Sequence, residues 1–186
     1  MKTARISWAV TVGFAISLSA SIASAQLNSG AQTIALNATL AESLTLTLSA
    51  NTVNFNLSAG SAVKAGSAAI TATTAWTLAP GRTSVGVYAY FTSATAALTD
   101  CVDNIPSSAF YIADNGGASA PLTNSVAFGA ANAGLKLATV PITAANRTAS
   151  RTDAMAFNIN LTGGTLPQLP ANTYTGTLNI QAQATP

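Results

Sequence analysis

Residues 43–48 read Ser-Leu-Thr-Leu-Thr-Leu, and the chain goes on through Val53-Asn54-Phe55-Asn56-Leu57. Apolar and polar residues alternate strictly, and a period of two is the pattern of a strand with one face buried. Threonine suits the other face, because its branched Cβ fits a pleated backbone and its hydroxyl suits water. The same period appears upstream, where Ile34, Leu36, Ala38 and Leu40 share a face. It appears downstream at Ile70, Ala72, Trp76 and Leu78, and again at Val85, Val87, Ala89 and Phe91. Met155, Phe157, Ile159 and Leu161 repeat it, as do Tyr174, Leu178, Ile180 and Ala182.

Turn-forming groups separate these runs: Ala59-Gly60, Pro80-Gly81, Asp114-Asn115-Gly116-Gly117, Gly163-Gly164 and Leu169-Pro170-Ala171-Asn172. About nine or ten strands of this kind predict an all-β protein, two antiparallel sheets packed face to face. Thr95–Pro121 is turn-rich and less regular. Ala127–Ala133 is alanine-rich enough for a short helix, although Gly129 and Gly134 weaken it.

The first 25 residues read as a secretory signal. Lys2 and Arg5 precede the apolar run Ile6–Leu18, and Ala23-Ser24-Ala25 has the small-residue pattern of a cleavage site. That run is shorter than the ~20 residues of a membrane span, and no second one follows. The expectation is a protein exported through the periplasm, secreted to the cell surface, with no integral membrane segment. The chain then divides into 1–25 (signal), 26–41 (an extended N-terminal segment) and 42–186 (the β domain).

Beyond residue 25 there are five Lys/Arg and five Asp/Glu. A net charge of zero, with no basic cluster, excludes nucleic-acid binding by counterion displacement. Solubility rests on Thr, Ser, Asn and Gln, which suits a protein that associates.

The chain has no histidine. This removes the usual general base and the commonest metal ligand, so Ser-His-Asp and Cys-His chemistry is excluded. We expect no enzyme and no cofactor. Asp100 and Asp103 read as a solvated loop. Cys101, the one cysteine, cannot form an internal disulfide, and reads as a small buried apolar residue. Arg147 and Arg151, in Thr143–Thr152, either meet an anion or belong to a solvated loop, and the loop is the plainer expectation. Tyr88 and Tyr90 lie opposite Val85 and Val87 on their strand; they either pack against a neighbour or stack on a sugar ring, and packing is the plainer expectation.

The N-terminal segment leaves two readings open. Ala41-Glu42 separates its alternating run from the next strand and lacks the Asn-Gly or Gly of a two-residue hairpin. Ile34, Leu36, Ala38 and Leu40 are therefore either a strand donated to another subunit's open sheet or the first strand of their own sandwich.

Three stretches together resemble secreted pilin-like subunits of the chaperone–usher and spore-coat-U kind: the alternating Thr33–Leu40 behind a signal, the pair Leu44–Ser49 and Val53–Phe55, and the closing Leu169–Ala184. They cover about a quarter of the chain beyond residue 25. The resemblance implies an incomplete immunoglobulin-like sandwich, completed by a neighbour's N-terminal strand to give a fimbrial fibre or coat. Ile34, Leu36, Ala38 and Leu40 are then the donor residues. The implied partners are other copies or related subunits, with a periplasmic chaperone and an outer-membrane usher. The single cysteine and the ending Ala184-Thr185-Pro186 depart from the disulfide and the apolar-aromatic terminus common in such subunits. The alternative is a monomeric extracellular binding module, with Tyr88 and Tyr90 as its ligand face.

Overall fold

A computed structural model describes residues 29–58, 63–162 and 169–186. The expected signal at 1–25 and the expected turns at Ala59-Gly60 and Gly163-Gly164 lie outside the described residues. The chain divides into two units, Met1–Ala38 and Thr39–Pro186. Residues 29–42 belong to no helix or strand.

From Ser43 onward the described residues are nearly all β, in antiparallel sheets. The strands are β1 Ser43–Leu48, β2 Lys64–Ala65, β3 Ile70–Thr77, β4 Ser84–Tyr90, β5 Leu98–Thr99, β6 Asn104–Ile105, β7 Phe110–Asp114, β8 Ala120–Pro121, β9 Gly134–Pro141, β10 Thr148–Ile159 and β11 Asn179–Thr185. The larger sheet runs β1-β3-β10-β7-β8, with β2 also on β10; the smaller runs β11-β4-β9; β5 and β6 form a separate hairpin. No helix among the described residues is long and apolar enough to cross a membrane.

The alternation read in the sequence becomes the two faces of each strand. In β3, Ile70, Ala72, Thr74 and Trp76 are buried while the residues between are half-exposed. In β10, Asp153, Met155, Phe157 and Ile159 are buried. Ile70, Ala72, Met155, Phe157 and Ile159 share one cluster with Ala89 of β4 and Phe91, with Leu135, Leu137 and Ile180 packed against it. A smaller apolar cluster, Trp76, Leu78 and Val85, lies at the other end, supported by Leu44, Val140 and Ala184.

Thr74 falls between the two clusters and is fully buried, as is Asp153. Arg151 pairs with Thr74 across the strands, and its Nε donates to Asp153 Oδ1 at 2.6 Å. This corrects the expected solvated loop at Thr143–Thr152. From Thr148 onward the segment is strand, and Arg151 shares the inward parity of Asp153 and Met155. A charge is tolerated there because a buried carboxylate partners it.

Two other expectations are corrected. Cys101 is exposed rather than buried, because it sits at the β5–β6 tip with φ of 82°. Ala127–Ala133 forms turns and no helix, with Gly129 at φ 79°. Its added Cβ would run into Tyr90 and the carbonyl of Phe91, so this glycine permits close packing as well as the turn.

Candidate functional site

A groove of about 790 Å³ lies inside the Thr39–Pro186 unit. It exists because two sheet edges remain open. Within the described sheets β1 pairs only with β3, and β11 pairs only with β4. The two edge strands approach each other at one end, where Leu44 and Ala184 pack on the same small cluster. The groove opens from Leu48 onward, where β1 ends.

One lip is the chain after β1. Val53, Phe55 and Leu57 are half-buried, while Asn54 and Asn56 between them are exposed, so the alternation survives without a continuous ladder. The Phe55–Gly66 bridge holds this lip to the sheet, with Asn54 beside it accepting from the Ser67 amide at 2.8 Å and donating its own amide to Ser67 Oγ at 3.1 Å. A Cβ on Gly66 would lie 2.5 Å from Val53 Cγ1, which is why that approach needs glycine. The other lip is Leu169–Leu178. Its Thr175 exchanges two backbone hydrogen bonds with Thr99, each 2.9 Å. Gly176 meets the carbonyl of Ala97 so closely that no Cβ fits.

The floor is apolar. Ile70, Phe110, Met155, Phe157 and Ile159 line it from the larger sheet, facing Phe91 and Ile180. Phe110 organises the rings, with Phe55 at 5.4 Å and Phe91 at 5.2 Å, both edge-on, the arrangement that aromatic quadrupoles favour. Phe55 and Leu169–Leu178 are separated by more than a hundred residues, so the groove itself is not visible in the sequence. The signal that could have pointed to it is the pair of alternating runs, at Val53–Leu57 and Leu178–Ala182, each with one apolar and one polar side.

The predicted donor residues lie outside every strand. Ile34 is 85% exposed, Leu36 90% and Leu40 83%, and Ala38 is exposed too. Their segment leads into β1 through Glu42, the residue directly before Ser43. There Oε1 accepts from the Ala79 amide at 2.7 Å and from Arg82 Nε at 3.1 Å. Arg82 first, then the Ala79 amide, hold the Glu42 carboxyl down at about 2.

Tyr88 and Tyr90 are half-buried on the outer side of β4. Phe128 packs on both, its ring 5.8 Å from each, and Tyr90 donates to Gln181 Oε1 at 2.8 Å. The rings serve as a packing platform for the loop that carries Phe128, a residue the sequence reading did not single out.

Asp100 and Asp103 occupy the β5–β6 tip. Asp100 Oδ1 accepts from the amides of Asp103 and Val102 at 2.6 and 3.0 Å, and Oδ2 accepts from Asn172 at 2.8 Å. The two amides, Asp103's first, hold its carboxyl below the usual range. These bonds make Asp100 a loop anchor at the second lip. Nearby, burial and then Asp100 push the Tyr174 phenol up, so that side chain stays neutral and donates to the Pro170 carbonyl at 3.0 Å.

The chain matches no protein-family model, no curated protein and no solved structure.

Proposed function

We propose that this chain is a structural subunit of an extracellular fibre or coat, and that each copy inserts Ile34, Leu36, Ala38 and Leu40 into the groove of the next. The domain is then an immunoglobulin-like sandwich short of one strand, and the exported chain begins after the signal at residue 25. The observation that carries this reading is the coexistence of an apolar groove between two open sheet edges with an unpaired apolar segment of matching period. An inserted strand hydrogen-bonds along the two lips, while alternate side chains fill the apolar floor. Burying three large apolar side chains contributes roughly 5–9 kcal/mol before ordering costs.

Reach and phase favour insertion into a second copy. The segment joins β1 at Ser43, but the groove begins near Leu48, about 17 Å further along the strand. Folded back through a two-residue turn at Ala41-Glu42, Leu40 would lie opposite Ser43, Ala38 opposite Thr45 and Leu36 opposite Thr47. Ser43, Thr45 and Thr47 all face solvent, so the apolar side chains would point outward. A three-residue turn would correct the face but leave Leu36 and Ala38 short of the groove. Only in another molecule do all four reach apolar surroundings.

The same geometry sets the mode of growth. The segment leaves at the Ser43 end and the groove opens toward the opposite end, so donor and acceptor surfaces differ. Such a head-to-tail contact, repeated, gives an open filament rather than a closed dimer.

The test is assembly of the purified full chain, followed by light scattering and negative-stain microscopy. Wild type is expected to form filaments, and Leu36→Asp to stay monomeric with its thermal midpoint unchanged. A wild-type chain that remains monomeric at high concentration, or a Leu36→Asp chain that assembles equally well, overturns the reading.

A further inference from the structure

We infer that a second contact, an ion pair between the two poles of successive copies, docks the filament: Arg147 of one copy against Asp103, beside Asp100, of the next. This rests on the strand-insertion reading and names what lies around the inserted strand.

The charges single these residues out. Of the ten charged side chains beyond residue 25, Glu42 pairs with Arg82, and Arg151 pairs with Asp153 and Asp114. Among the described residues Lys64, Lys136, Arg147, Asp100 and Asp103 make no ion pair. Both acids of this remainder sit on the β5–β6 tip. In a chain with so few charges, two unneutralised acids at one tip are a local field with no internal counterpart.

Position makes Arg147 the complement. Its carbonyl accepts from the Leu78 amide at 2.9 Å, which places it one residue beyond the Thr77–Thr148 pair. Glu42 stands one residue beyond the Ser43–Thr77 pair on the other side of β3. Two strand spacings separate them, about 10 Å, so Arg147 lies close to the root of the donated segment. Its Nε is buried and has no hydrogen-bond partner.

The acidic tip stands at the receiving end. Asn172, which lines the groove, donates to Asp100, and Thr99 beside it bridges Thr175 on the lip. Leu40, the last donor residue, is three residues from Ser43, ~11 Å at full extension. A link that short brings the Arg147 end of one copy against the groove mouth of the next, and opposite charges there steer and orient the encounter.

The experiment is a charge reversal and its rescue in the full chain. At low ionic strength, Arg147→Asp and Asp103→Arg are each expected to slow filament growth by roughly tenfold or more. Combined, they are expected to restore it to within about threefold of wild type. In about 0.5 M salt the differences should largely vanish, since screening acts within a few ångströms. Recovery in the double variant shows that both single variants fold. Single reversals that assemble at the wild-type rate, or a double variant no faster than the singles, overturn the ion pair while leaving strand insertion standing, provided Leu36→Asp still blocks assembly. A wild-type chain that forms no filaments overturns both.

Discussion

Glu42 grips Arg82 with both carboxylate oxygens, Oε1 to Nε at 3.1 Å and Oε2 to Nη2 at 3.0 Å, and so ties the root of the N-terminal segment to the turn between β3 and β4. The carboxyl is held from its ordinary 4.5 down to about 2. A carboxyl lowered on folding adds stability above its unfolded value, and that stability is lost as pH falls through the folded one. Glu42→Gln is therefore expected to lower the thermal midpoint at neutral pH by a constant amount down to about pH 5. The gap from wild type should then close toward pH 2. A gap that persists unchanged at the acid end contradicts the clamp.

The inward ionic layer predicts opposite outcomes for its two acids. Asp153 accepts from Arg151 Nε at 2.6 Å and from Asn115 Nδ2 at 3.0 Å, and is fully buried. Asp153→Ala strands these donors and is expected to cost about 3 kcal/mol in urea unfolding.

Asp114 differs because burial, and then the nearby Asp153 charge, push its carboxyl up. A carboxyl raised on folding contributes fully below its unfolded pKa, and that contribution is lost as pH rises through the folded one. Asp114→Asn is thus expected to leave the midpoint equal to or above wild type at pH 7, with any advantage gone near pH 3. A clear loss of stability at pH 7 would show that the Arg151 contact outweighs desolvation.

These elements mark how far the sequence could be read. β1, β3, β4, β10 and β11 were legible because one apolar face alternates with Thr in β1 and β3, with Gly and Tyr in β4, with Ala and Asn in the second half of β10 and with Gln in β11, and solvent and core enforce that alternation. Arg151 and Asp153 were not, although the inward parity of Met155, Phe157 and Ile159 extends back to both. Two charges read as solvent-facing until a partner is known, and Asn115, which binds Asp153, comes from a different hairpin. Cys101 was misplaced because its exposure follows from a left-handed turn residue, and cysteine carries no signal for that conformation. The alternation of Ile34, Leu36, Ala38 and Leu40 was legible, whereas the groove depends on Val53–Leu57 and Leu169–Leu178, which meet only in the folded chain.

Phe128 offers a separate check on the outer sheet face. Its ring packs on Tyr88 and Tyr90 and is half-buried. Phe128→Ala is expected to cost about 1–3 kcal/mol, below the range for a fully buried ring. Tyr88→Ala with Tyr90→Ala should give a comparable loss. If the tyrosine pair instead leaves stability untouched and abolishes binding to a glycan array, the packing role fails and the ligand-face reading gains.

The groove predicts its own inhibitor. A synthetic peptide of residues 31–41, Ala-Gln-Thr-Ile-Ala-Leu-Asn-Ala-Thr-Leu-Ala, carries all four donor side chains and no domain behind them. Added to the full chain, it is expected to compete for the apolar floor at Phe110 and Phe157 and to cap growth. A ligand that binds only the folded state stabilises it by mass action, about 2.7 kcal/mol at a hundred times its Kd, so the thermal midpoint of Leu36→Asp protein should rise with peptide concentration. The Leu36→Asp peptide brings a carboxylate to the same floor, where burying an unpaired charge is costly, and should neither cap growth nor raise the midpoint. Equal effects from the two peptides would mean that binding, if any, is not made by alternate side chains in the groove.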